Sequence, residues 1–307
     1  MVLEDILENL YESLIDLNIG EVRKDEPMKY HTTFEIGGPC DFMVIPDSYE
    51  SVRKLVEFLR ANKIKFMVIG NGSNLLIKDT GIRGVVIKIA ENLSELEFKD
   101  DILKVQAGAQ LTKTSKAAIE KSLAGMEFSS GIPGNIGGAI TMNAGAYGGE
   151  IKDICVSVKA INPDNEIVDI PAEDMNFRYR RSRVHDEGLI VLEATFKLEH
   201  GNYDEIHAVF EDLDFRRSSK QPLDHPSAGS VFKRPEGYYA GKLVDDCGLR
   251  GYRYKNAMVS EKHCGFIVTD GESSFEEVIN VIQHVQKTVK ERFGVDLETE
   301  IRIIGDE

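Results

Sequence analysis

Between residues 131 and 150 the chain reads GIPGNIGGAITMNAGAYGGE, with glycines at 131, 134, 137, 138, 145, 148 and 149. A flexible linker of that glycine content would be rich in serine and poor in apolar residues. This segment instead interleaves Ile132, Ile136, Ile140 and Met142, so it has to pack. A backbone so stripped of side chains packs either as a tight corner or against something flat or phosphorylated that it approaches closely. A second glycine motif, GNGSN at 70–74, follows the apolar stretch KFMVIG and precedes LLI. Glycine there permits positive φ and lets N–H groups converge on an oxyanion, with Ser73 and Asn74 as further donors; a plain strand-to-strand turn is the simpler alternative. It is not a GxGxxG at a strand–helix junction, and no Walker lysine follows it.

Hydrophobic spacing gives helices at 3–17 (Leu3, Ile6, Leu7, Leu10, Leu14, Ile15 and Leu17), 48–62 and 111–123. Strands are expected at 65–70, 75–77, 84–89, 102–108, 155–161, 166–170 and 189–198. A polar helix after about residue 200 runs into FRRSSKQPLDHP, and a domain boundary is expected near 200–225. Beyond it, helices are expected around 239–247 and 275–292, and strands at 265–269 and 298–304. Mixed order without strict βαβ alternation argues an α+β fold. A length of 307 residues fits about two domains.

Thirty-seven basic and 52 acidic residues give a net charge of −15, which disfavours a nucleic-acid partner. No apolar run approaches the ~20 residues of a membrane span. The acidic N-terminus lacks the basic flank and cleavage site of a secretory signal, so a cytoplasmic protein is expected. Cys40, Cys155, Cys247 and Cys264 form no CxxC pair, and the seven histidines form neither HxH nor HExxH. Reduced thiols and no metal site are therefore expected, with His31 and His263 read as structural.

Three further segments could carry chemistry. FRYRRSR at 177–183 concentrates cations in an acidic chain. If extended, Arg178 and Arg180 face one side and Arg181 and Arg183 the other, so one pair could grip a carboxylate or phosphate in a forked manner. PSAGSVFKRP at 226–235 leaves the Ser230 hydroxyl among small residues, near Lys233 and Arg234. It is not a GxSxG elbow, so a proton-donating serine or a turn serine remain. In LETEIRIIG at 297–305, Glu298 and Glu300 alternate with apolar neighbours and Glu300 would share a strand face with Arg302. That is either a surface pair or half of an acid/base site.

Taken in order, TTFEIGG (32–38), IGNGSNLLI (69–77), SGIPGNIGGAITMNAGAYG (130–148), FRYRRSR (177–183), AGSVFKRP (228–235), AGKLVDDCGLRG (240–251), VSEKHCGFIV (259–268) and LETEIRIIG (297–305) resemble the UDP-N-acetylenolpyruvylglucosamine reductase family. The resemblance spans about residues 20 to 305. It implies a two-subdomain FAD-binding fold of the PCMH type plus a C-terminal α+β substrate-binding domain. The corresponding divisions are 1–90, 91–212 and 213–307. It implies noncovalent FAD, NADPH as co-substrate and the nucleotide UDP-N-acetylenolpyruvylglucosamine as substrate, with no nucleic acid, membrane or obligate protein partner. A hydride goes from reduced flavin to the β-carbon of the enol ether and a proton from the protein to the α-carbon.

By the same resemblance Arg180 polarises the substrate carboxylate, Glu300 assists it and Ser230 donates the proton. Lys233 is our own expectation for a group that steadies the serine alkoxide. FAD would be cradled by Gly70, Asn71, Gly72, Ser73 and Asn74, by Pro133, Gly134, Asn135, Gly137, Gly138 and Ala139, and by Asn143, Ala144 and Gly145. Lys220, Lys233, Arg234, His263 and Arg302 match substrate-contact positions. Some members carry asparagine at 234 and glutamine at 263. The stretch 180–230 has no room for the tyrosine-bearing insertion of the longer subfamily, so the chain resembles the shorter one. Two other functions stay open from sequence: an oxidase on the same flavin fold, although no His or Cys lies in either glycine loop to tether flavin, and a non-enzymatic flavin- or nucleotide-binding module.

Overall fold

The computed structural model describes residues 3–306, with side chains from residue 7 onward. The chain divides into two compact units, each made of three stretches: 1–24, 42–71 and 84–216 in the first, and 25–41, 72–83 and 217–307 in the second. The architecture is α+β.

In the first unit, the helix Leu3–Asp16 turns Leu7, Leu10, Tyr11 and Leu14 onto the core. Ile15 sits one position round from that stripe and is 48% exposed, so it does not belong to the apolar face assigned to it by spacing. The side chains of Leu3 and Ile6 lie outside the described residues. The helix Tyr49–Ala61 starts where Ser48 Oγ accepts from the Ser51 N–H at 3.1 Å, and it buries Val52, Leu55, Val56 and Leu59. These helices accompany a four-stranded sheet ordered Gly20–Pro27, Pro39–Pro46, Ile82–Lys88, Phe66–Ile69, in which the last two strands run parallel.

A second sheet has five antiparallel strands, ordered Ile167–Pro171, Cys155–Ile161, Ile190–Lys197, Ile102–Gln106, Leu96–Lys99. The alternation of VLEATFKL buries Leu192, Ala194, Phe196 and Leu198 on the face that joins the core. The short helix Ile136–Thr141 packs on this sheet against its strands Ile190–Lys197 and Ile102–Gln106, with Ile136 and Ile140 fully buried, which seats the glycine-rich segment on the sheet.

The second unit has its own core. Val278, Val281, Ile282, Val285 and Val289 of the helix Phe275–Phe293 pack beside an antiparallel sheet of Arg253–Tyr254, Ala257–Val259 and Ile267–Thr269. The N-terminus of that helix is held by Ser274 Oγ at 3.3 Å from the Glu277 N–H, and by Asp79, which accepts from the Phe275 N–H at 3.2 Å. Leu75–Ile77 pairs in parallel with Arg302–Ile304. The C-terminal strand is thus shorter than the expected 298–304, because the chain bends at Glu300 and Ile301. The FRYRRSR segment is not extended either. Arg178 and Arg181 exchange backbone hydrogen bonds (2.9 and 3.2 Å) around a turn in which Arg180 has φ +52°.

Candidate active site

Each glycine motif is explained first by the backbone around it. Asn135 precedes the helix Ile136–Thr141 and is 3% exposed. Its Oδ1 accepts from the Asn71 N–H at 2.6 Å and its Nδ2 donates to the Gly108 carbonyl. A Cβ on Gly70 would lie 2.5 Å from that same Oδ1, so the first glycine of GNGSN is demanded by its neighbour in the other motif. In the second unit, Gly72 has φ +61° and a Cβ there would lie 2.0 Å from the His31 carbonyl oxygen. Asn74 Nδ2 donates to the Glu300 carbonyl at 3.2 Å.

Gly138 behaves differently. It is exposed, helical, outside the positive-φ region, and a Cβ there would meet no atom within 4 Å. Glycine in a helix costs about 1 kcal/mol relative to alanine, and no described residue closes on the space above it in return. A flat ligand lying on the helix surface supplies the missing reason, so the residues fit a flavin cradle. Gly138→Ala is therefore expected to raise the melting temperature of flavin-free protein slightly while weakening FAD binding. Thermal melts and a flavin titration check this pair of effects, and unchanged flavin affinity would remove Gly138 from the cradle.

Three hydrogen bonds tie the arginine turn to the glycine segment. Asn143, 1% exposed and at φ +40°, donates from Nδ2 to the Arg178 carbonyl at 3.2 Å and to Glu150 Oε2 at 2.8 Å. Its Oδ1 accepts from the Lys152 N–H at 3.0 Å, so the Asn143 side chain is committed to the protein. Ser182 Oγ donates to the Thr141 carbonyl at 3.0 Å, and Arg180 Nη2 donates to the Gly145 carbonyl at 3.2 Å. Lys152, 2.8 Å from Glu150, holds that carboxyl below the usual glutamate range, with smaller help from Asn143 and Arg180. Three of the four arginines pair with acids on the helix that follows. Arg178 and Arg181 share Asp186, and Arg183 pairs with Glu187 at 2.7 Å. The expected two-and-two split across a strand is replaced because the segment turns.

In the second unit the segment around Ser230 is gripped on both edges. The Val231 N–H donates to the Gly265 carbonyl at 2.9 Å, and Ser230 bridges Phe266. The Glu300 N–H donates to the Val231 carbonyl at 2.7 Å, and the Lys233 N–H to the Glu298 carbonyl at 2.9 Å. Ser230, Glu300 and His263 are thereby gathered in one region of this unit. A Cβ on Gly265 would lie 2.9 Å from His263 Cε1 and 3.4 Å from Ser230 Oγ, so the ring and the hydroxyl flank one glycine. His263 Nδ1 accepts from the Gly265 N–H at 3.1 Å, which leaves the proton on Nε2. Burial pulls the His263 pKa down and keeps the ring neutral, with Arg250 acting in the same direction.

Lys233 does not steady Ser230. Its ammonium is 2.9 Å from Glu298 Oε2, and an odd spacing of three puts it on the opposite face of an extended segment. The Arg234 guanidinium stacks 4.0 Å from the Tyr239 ring centroid, and Arg302 is exposed, its N–H donating to the Asn74 carbonyl at 2.9 Å. Lys220 is the last residue of the helix Tyr203–Lys220. Arg180 stands in the first unit; Ser230, Glu300, His263 and Arg302 stand in the second. Sequence reasoning missed Asp186, although an acid placed five residues after Arg181 and eight after Arg178 was a readable signal. Among the described residues no cluster of His, Cys, Asp or Glu could hold a metal, and no helix is long and apolar enough to cross a membrane.

Residues 40–171 match the family model described as "FAD binding domain", and residues 221–304 the one described as "UDP-N-acetylenolpyruvoylglucosamine reductase, C-terminal domain". The first match together with the reductase named in the second makes the chain an FAD-binding oxidoreductase, as its relatives' names bear out. It is 49% identical over 301 residues to the UDP-N-acetylenolpyruvoylglucosamine reductase of Alkaliphilus metalliredigens, covering 97% of this chain and 99% of that one. It is 48% identical over 299 residues to that of Limosilactobacillus reuteri, covering 97% and 99%. Among solved structures it is similar to the UDP-N-acetylenolpyruvylglucosamine reductase of Thermus caldophilus, with a TM-score of 0.79, 32% identity, and 92% and 98% of the two chains covered. The chain belongs to the UDP-N-acetylenolpyruvoylglucosamine reductase family.

Proposed function

We propose that the chain reduces the enolpyruvyl ether of UDP-N-acetylglucosamine to UDP-N-acetylmuramate, a peptidoglycan precursor, with NADPH as electron donor. The observation that carries this reading is the pairing of the Ser230 segment with the Glu300 segment on one edge and the Gly265–Phe266 segment on the other. The segments so paired carry a hydroxyl, a carboxyl and a neutral imidazole, which supports the reading of a proton-delivering site. The name shared by relatives at 48–49% identity supports the same substrate.

In this proposal Gly70–Asn74, Pro133–Ala139 and Asn143–Gly145 hold FAD without a covalent bond. Bound FAD supplies the hydride that reaches the β-carbon. The remaining work belongs to the chain. Charge builds on the substrate carboxylate as an enolate, and a preorganised guanidinium stabilises it best; that is the part of Arg180. Glu300 assists at the same carboxylate. The Ser230 hydroxyl protonates the α-carbon. His263 Nε2–H is a donor toward the substrate, and Lys220, Lys233, Arg234 and Arg302 supply cationic contacts to it. Residues 1–90 and 91–212 serve the flavin and 213–307 the substrate. A cytoplasmic location suits a nucleotide substrate and an acidic chain.

The direct test is anaerobic. Reduction by NADPH should bleach the flavin, and addition of the enolpyruvyl nucleotide alone should restore its absorbance stoichiometrically. A reduced enzyme that stays bleached with that nucleotide, yet reoxidises in air, would remove the substrate assignment.

A further inference from the structure

A non-glycine residue at positive φ persists only where the surroundings over-determine it, and Arg180 at φ +52° is such a residue. The over-determination is visible. Arg181 donates to Asp186 Oδ1 through Nε at 2.8 Å and approaches it through Nη2 at 2.7 Å. Arg178 donates to the other carboxylate oxygen, Oδ2, through Nη2. One carboxylate thus holds the two arginines on either side of the Tyr179–Arg180 tip. Beneath it, Arg178 and Arg181 close the turn through their own backbones at 2.9 and 3.2 Å. Asp186 is itself fixed on the helix Arg183–Glu187, which begins directly after the turn and ends at Gly188 with φ +66°. Ser182 anchors the start of that helix to Thr141. The Arg181 bonds hold the Asp186 carboxyl below the usual aspartate range, with Arg178 adding to the effect.

We propose that Asp186 is a positioning residue for the reduction. By bridging Arg178 and Arg181 it locks the turn that aims the Arg180 guanidinium along the glycine segment. It also neutralises the two flanking arginines, which would otherwise repel Arg180 and compete with it for an anionic substrate. This rests on the reading of Arg180 as the group that stabilises substrate charge. A guanidinium displaced by about 1 Å from its working position can cost about 100-fold in rate.

The test uses Asp186→Asn, Asp186→Glu, Arg180→Gln and the double variant Asp186→Asn/Arg180→Gln, all as full-length flavin-loaded protein. Flavin content, NADPH-driven flavin reduction and reoxidation by the enolpyruvyl nucleotide are measured for each. Asp186→Asn should slow reoxidation about 10- to 100-fold, through the rate rather than the half-saturating nucleotide concentration. Reduction by NADPH and flavin content should stay within about twofold, since neither step uses the carboxylate charge. Asp186→Glu should recover part of the loss. In the Arg180→Gln background, Asp186→Asn should cost nothing further, because its effect travels through a guanidinium no longer present. Additive losses would overturn the proposal, as would a matching fall in both half-reactions or loss of bound flavin. Full activity in Asp186→Asn with a defective Arg180→Gln would sink the positioning role alone. If Arg180→Gln were itself fully active, the role assigned to Arg180 would fall, and this inference with it.

Discussion

Replacing Ser230 by alanine is expected to slow reoxidation of the reduced enzyme by the enolpyruvyl nucleotide by about 10²- to 10⁴-fold, the usual reach of a positioned general acid. The rate of flavin reduction by NADPH should be unchanged, because that half-reaction delivers no proton to carbon. A serine hydroxyl is a weak acid at neutral pH. It can protonate carbon only when the acceptor is a strongly basic enolate and the resulting oxyanion is stabilised in place. The neutral imidazole of His263 flanks the same glycine as the hydroxyl, with Nδ1 occupied by the Gly265 N–H and the proton on Nε2. The Lys233 ammonium is engaged by Glu298. The alanine variant should keep its fold, since Ser230 Oγ makes only a long 3.4 Å hydrogen bond to the Phe232 carbonyl. Stopped-flow traces of the two half-reactions decide the matter. A reoxidation rate within threefold of the parent would transfer the proton-donor role elsewhere. Glu300→Gln should follow the same pattern, losing reoxidation far more than reduction, and an equal loss in both would deny Glu300 a part in charge stabilisation.

Regular elements were legible where one physical period dominated. The Tyr49–Ala61 and Phe275–Phe293 helices each carry an apolar stripe and a serine cap, and both lie within a residue of the spans read from spacing. What spacing could not give was a change of hydrogen-bond partner in the middle of a segment. The Glu300 N–H goes to the Val231 carbonyl while the Arg302 N–H goes to the Asn74 carbonyl. Between them the chain bends, and the alternation that would have put both side chains on one face is lost. The arginine run failed for a related reason. Alternation presumes an extended chain, whereas attraction of Arg178 and Arg181 to one distant carboxylate favours a turn. The Ser230–Lys233 pairing was read from nearness in sequence, although an odd spacing along extended chain sends the two side chains apart. The glycines were legible as a demand for close approach. That Gly70 answers to Asn135, while Gly138 answers to none of the described residues, emerges only from the fold.

The joint between the two glycine motifs carries the other large expected effect. Asn135→Leu leaves the Asn71 N–H without its acceptor and the Gly108 carbonyl without its donor in a site that is 3% exposed. Each of the two orphaned buried groups costs about 1–3 kcal/mol, so a loss of roughly 2–6 kcal/mol is expected together with loss of bound FAD. The Gly70 contact makes the argument sharper, because two substitutions that are each harmful should partly relieve one another. Gly70→Ala alone drives a methyl to 2.5 Å from Asn135 Oδ1 and has to push that side chain off the Asn71 N–H. With Asn135→Ala already in place the oxygen and its carbonyl carbon are absent, and of the three close contacts only the residue-135 Cβ at 3.2 Å remains, which a shift of a few tenths of an ångström relieves. A double-mutant cycle on melting temperature, in flavin-free protein, should then return less destabilisation for Gly70→Ala/Asn135→Ala than the sum of the singles, by about 1 kcal/mol or more. Strict additivity would mean that the two motifs are not coupled through this side chain. The same cycle followed by flavin titration separates fold from function: stability recovered in the double variant without recovered FAD affinity is expected, since the Asn71 N–H is no longer held by Oδ1 and the loop no longer presents its backbone in one conformation.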